Sequence, residues 1–215
     1  MSKQIFLASI IFLQACSSIE QNRVAPGYTE AFNAVKVAIF GSDQKIDRNI
    51  IQNIPYASML VKIGRGPEAL MILESINNNK FTWVSADGIY LVIEDGLIVK
   101  SYGLNNNLKS KIYPHDSLST AKEDLEYITY YSFAQPTLNN LKVNTKFFRK
   151  SSSLHKLAFG EMKLRLVEEV ITSDDIAWRE KNLYWLDENN YVWKSTQSIS
   201  PKLPPISYEV TKKPL

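Results

Sequence analysis

The sequence predicts a mainly β protein: an antiparallel curved sheet or partly open barrel, with one N-terminal helix and few short helices. Three observations carry this. Short apolar runs recur at roughly ten-residue spacing from about residue 56 to the end, with no long amphipathic segment between them. Asp95-Gly96 stands between two such runs, and glycine there accepts the positive φ of a tight hairpin. Apolar residues make up 45% of the 215-residue chain and aromatics 11%, enough to fill one core without disulfides.

The helix is expected first. Over Tyr28–Phe40 (YTEAFNAVKVAIF), Thr29 caps the start, Phe32, Val35 and Ile39 share a face, and Gly41 ends the run. A second short helix fits Asp47–Ile54, stopped by Pro55 because a residue before proline resists helical geometry. Strands are then expected at Tyr56–Ile63 and Ala69–Leu73 around the turn Gly64-Arg65-Gly66-Pro67. Further strands follow at Phe81–Val84, Ile89–Ile93, Leu97–Tyr102, Leu125–Phe133, Leu141–Arg149, Lys156–Ile171, Leu183–Leu186, Tyr191–Ser195 and Ile206–Thr211. Ser119–Glu126 reads as a helical turn. No repeat or linker divides this part, so residues 28–215 are expected to form one β-rich domain.

The N-terminal stretch reads differently. Lys3 precedes the apolar run Ile5–Leu13, about half the length that spans a bilayer. That pattern is a secretory signal over residues 1–15 with a small residue, Ala15, at the cleavage point. Cys16 follows, the single cysteine of the chain. A lone cysteine is ordinarily a small buried hydrophobe, but Leu13-Gln14-Ala15-Cys16 resembles a bacterial lipobox, in which the cysteine is acylated. Gln14 departs from the small or β-branched residue usual there. The resemblance implies a lipid anchor on Cys16, with chains such as palmitate, and several chains hold a protein stably where one does not. Residues 16–27 would be lipidated cysteine and polar tether. Ser17 is not the aspartate of an inner-membrane retention signal, which points to the outer membrane, facing the periplasm.

Chemistry is sparse. The formal charge is +3, without a basic cluster that would mark a nucleic-acid partner. His115 and His155, the two histidines, lack metal-ligand spacing. No serine stands in a Gly-x-Ser-x-Gly elbow, and Gly64-Arg65-Gly66 lacks the third glycine of a phosphate loop. The doublets Glu168-Glu169 and Asp174-Asp175 read as solvated surface charge, since strand neighbours point to opposite faces and cannot pair catalytically. Catalytic residues, metal ligands and cofactors are therefore all expected to be none. Trp83, Trp178, Trp185 and Trp193, with Tyr184 and Tyr191, could form a sugar-stacking platform, but in strand-like runs aromatics more often pack the core.

Several segments resemble one family in order along the chain: Ala38–Gly41, Ile54–Ser58, Ile63–Pro67, Trp83–Gly88, Lys100–Leu104, and Tyr184-Trp185 with Trp193–Gln197. They are similar to the YjbF/GfcB family of envelope lipoproteins, associated with group 4 capsule and exopolysaccharide production. Asn190 stands where a turn glycine is expected, a position asparagine tolerates. The resemblance implies a non-enzymatic lipoprotein that assists polysaccharide assembly or export, its partners other export proteins or the glycan. The alternative is a carrier that holds a lipid or lipid-linked glycan in a curved-sheet cavity. Of the family's features only the lipidated Cys16 carries over as a site.

Overall fold

In the computed structural model, residues 51, 54–113, 118–123 and 125–214 are described. They form twelve antiparallel strands in a single sheet: β1 (Ser58–Ile63), β2 (Glu68–Asn77), β3 (Lys80–Ser85), β4 (Tyr90–Glu94), β5 (Leu97–Tyr102), β6 (Leu108–Ile112), β7 (Glu126–Phe133), β8 (Leu138–Leu157), β9 (Gly160–Ser173), β10 (Trp178–Leu186), β11 (Val192–Gln197) and β12 (Ile206–Lys212). The spatial order is β5-β4-β3-β2-β1-β12-β11-β10-β9-β8-β7-β6, so β5 and β6, consecutive in the chain, are the two sheet edges. Bulges in β2, β5, β8 and β11 bend the sheet. It curls until its edges approach and becomes a nearly closed barrel.

Turn chemistry sets the register. Asp95 and Gly96 have φ of 49° and 83°, the two positive values a two-residue hairpin needs, and Glu94 pairs with Leu97 across it. Asn190, at φ 63°, takes the left-handed position as expected. Gly64 does the same in the β1–β2 turn, at φ 55°.

The edges are pinned from within rather than by a full ladder. The Leu108 amide donates to Ser101 Oγ (2.9 Å), joining β6 to β5. Gln197, buried on β11, accepts from the Ile98 amide (2.9 Å) and donates to the Gly96 carbonyl (2.8 Å). Tyr208 donates to the same carbonyl at 2.7 Å. The interior between these pins is one apolar core that includes Met59, Met71, Trp83, Leu91, Ile98 and Val167.

Two expectations change. Lys156–Ile171 is two strands, because β8 runs on to Leu157 and Gly160, at φ 153°, opens β9 after a short turn. Ser119–Glu126 is not helical where described; residues 118–120 form a turn and β7 begins at Glu126. A 3-10 turn, Asp174–Ile176, was not foreseen. The Tyr28–Phe40 helix lies outside the described residues, and of Asp47–Ile54 the helical Ile51 and Ile54, whose amide donates to the Ile51 carbonyl (3.3 Å), are described. Both are buried. On the outer face of β2 and β3, Leu70, Ile72 and Val84 are also buried, apart from the interior core.

Candidate functional site

Charge lies where the sequence pointed to surface. Alternation along β9 sends one of the two neighbouring glutamates inward, and Glu169 is 1% exposed while Glu168 pairs with Lys181 outside (3.3 Å). Lys111 on β6 crosses the interior to Glu169, with Nζ 3.1 Å from Oε1. Tyr184 (2.5 Å) and Asn182 (2.8 Å), both on β10, donate to Oε2. The Lys111 ammonium also lies 5.3 Å over the Tyr131 ring. Each acceptor lone pair taken offsets part of the desolvation that an ion pair suffers inside a protein. The cluster thus ties edge strand β6 to β9 and β10. Its two charged side chains are 2% and 1% exposed.

Burial works against the Lys111 ammonium, but Glu169 and Tyr131 together outweigh it and hold the group above its ordinary range. Burial pushes the Tyr131 hydroxyl up to about 12 and, with Glu169 beside it, Tyr184 well above the usual value. Unfolded, all three groups lose their protons near pH 10. The stability they confer is therefore complete below about pH 10 and drains away as pH rises through the higher folded values. The melting temperature is expected to fall above about pH 10, with tyrosinate absorbance rising together with unfolding. Free titration of every tyrosine in the intact fold would contradict this.

Two concave sites bear on function. The first, about 390 Å³, lies inside one end of the barrel, walled mostly by apolar side chains such as Met59, Phe81, Trp83 and Val210. The second is an outer groove of about 660 Å³. Its floor is a cross-strand row, Trp185–Lys194–Glu209–Leu60, over β10, β11, β12 and β1. Lys194 Nζ stands 5.5 Å over the half-buried Trp185 ring and 4.0 Å from Glu209. His155 meets the ring edge-on at 6.2 Å between centroids. The β8–β9 turn forms one wall, where the Ala158 amide donates to Glu209.

The aromatics singled out in sequence divide accordingly. Trp83, Trp178 and Tyr184 are buried in the core, whereas Trp185, Trp193 and Tyr191 are half-buried. Trp193 donates to Asp187 (2.9 Å), which also takes the Tyr191 amide and faces Lys213 (3.3 Å). Burial alone would raise the Asp187 carboxyl, yet these partners hold it below its usual range. Asp174 and Asp175 are exposed. Cys16 and His115 lie outside the described residues; among those described, no cluster of His, Cys, Asp and Glu could hold a metal.

A barrel of this kind, with its ion pair sealed inside and a groove outside, can be set beside known proteins. The family model described as group 4 capsule polysaccharide lipoprotein GfcB, YjbF matches residues 28–210. The chain belongs to the YjbF/GfcB family. It is 24% identical to the uncharacterized lipoprotein YjbF of Escherichia coli K12 over 99% of this chain and 98% of that one. The uncharacterized lipoprotein GfcB of the same organism is 29% identical over 46% of this chain and 42% of its own length. The crystal structure of the hypothetical lipoprotein YmcC from E. coli K12 superposes with a TM-score of 0.70 at 21% identity, covering 86% of this chain and 97% of that one. That likeness is one of fold. The family is thus a group 4 capsule-associated lipoprotein family, in agreement with the segments that pointed to it.

Proposed function

We propose that this protein is an outer-membrane lipoprotein, anchored through Cys16 and facing the periplasm, that assists capsular polysaccharide or exopolysaccharide assembly or export by recognition and not by catalysis. The observation that carries the reading is the division of the molecule. Its buried Lys–Glu pair is sealed, while an outward groove of about 660 Å³ has an aromatic floor. A groove of that size, with polar and charged side chains around an aromatic, suits binding.

Replacing Cys16 by serine is expected to abolish labelling by a fatty-acid analogue and to reduce polysaccharide at the cell surface. Label on the serine variant would sink the anchor, and recovery of the wild type with inner membranes would sink the location. Crosslinking from envelopes should bring down export proteins or the glycan. Turnover of capsule oligosaccharide by the purified protein, abolished by changing one acidic residue, would overturn the non-enzymatic reading. The internal apolar cavity of about 390 Å³ favours a second reading, a lipid or lipid-linked glycan carrier. A lipid co-purifying in stoichiometric amount would favour it.

A further inference from the structure

We infer that the outer groove binds an acidic glycan, with Trp185 as the stacking platform and Lys62, Lys156 and Lys194 as its charge partners. This rests on the recognition reading and names its ligand class. Outward positions of a sheet facing water are normally polar, and this one keeps a large aromatic half-exposed in a row of charged neighbours. A sugar ring offers an apolar C–H face for an aromatic and hydroxyls for its surroundings. Beside Trp185, Thr196 and Ser207 supply hydroxyls on adjacent strands, 3.0 Å apart.

The charges decide between a neutral and an acidic sugar. Glu209 is engaged by the Ala158 amide and faces Lys194. Lys62 and Lys156 are exposed and have no ion-pair partner among the described residues; Glu68, exposed at the rim, is the remaining acid. The balance is cationic. Lys194, poised over the ring, is placed to receive a carboxylate carried by a sugar stacked on that ring.

The test uses the full-length protein in detergent, with tetragalacturonate as the acidic probe and maltotetraose as the neutral control, by calorimetry at low salt and at about 0.15 M. Tetragalacturonate is expected to bind, more weakly at the higher salt. Trp185→Ala and Lys156→Glu should each weaken it about ten-fold, with thermal melts close to wild type. Equal binding of maltotetraose would overturn the acidic assignment. Absence of binding to either probe, or a Trp185→Ala variant that unfolds like a core variant, would overturn the site and make Trp185 a packing residue. Lys156→Glu, at an exposed position, keeps the charge test independent of folding. Envelope crosslinking to export proteins without sugar binding sinks the groove alone. Sugar binding with no polysaccharide defect in the Cys16→Ser strain sinks the recognition reading instead.

Discussion

Glu169→Ala is expected to destabilise the protein by about 3–5 kcal/mol, read as a lowered denaturant midpoint. The substitution leaves the Lys111 ammonium, 2% exposed at its side chain, without its counter-charge in the barrel interior. It also strands the Tyr184 hydroxyl and the Asn182 amide, whose shared acceptor is the lost carboxylate. Lys111→Met should cost a comparable amount, for the mirror-image reason. The double variant Lys111→Met, Glu169→Leu is expected to recover much of the loss, because apolar residues of similar volume often replace a buried pair at little cost. The coupling between the two positions should therefore be large and favourable. Near-neutral stability of Glu169→Ala alone would mean that water reaches the pair.

That pair also explains which parts of the fold were legible. A strand whose outer residues are polar and inner residues apolar declares itself by alternation, as Ile206–Thr211 does, whereas Leu97–Tyr102, buried at three successive residues, is marked by the Asp95-Gly96 turn before it. β6 was missed because Leu108-Lys109-Ser110-Lys111-Ile112 shows two lysines where an apolar strand is sought. Lys111 points inward only because Glu169, fifty-eight positions later, waits there; no local pattern contains that partner. The same blindness made Glu169 a surface acid. The rule that neighbours in a strand face opposite sides already required one glutamate of the doublet to point in, and that was the available signal. The groove was half legible. Trp185 was singled out as a candidate platform, but its cross-strand neighbours Lys194 and Glu209 are set by the register of three strands. Of the family segments, Ile63–Pro67, Trp83–Gly88 and Lys100–Leu104 run from a strand end into a turn, where backbone conformation restricts the residue.

Trp83→Ala is expected to cost about 3–5 kcal/mol, against a small change for Trp185→Ala, although both are tryptophans on strands. Trp83 is 2% exposed and pairs across the sheet with Leu73 and Leu91. It also walls the internal cavity of about 390 Å³, so its removal enlarges a void that already exists. Neighbours such as Met59 then lose packing partners that nothing nearby replaces, and the cost grows with the volume left empty. One term acts in the opposite direction. The Trp83 indole N–H has no hydrogen-bond partner among the described residues, so the wild type already bears the cost of that orphaned donor. Trp83→Phe keeps an aromatic ring and removes the donor, and is expected to cost much less than Trp83→Ala. Denaturant melts of the three variants side by side separate the effects. If Trp83→Phe proved as damaging as Trp83→Ala, the indole N–H would have to be held by a partner in the cavity, and the carrier reading would gain its first polar contact.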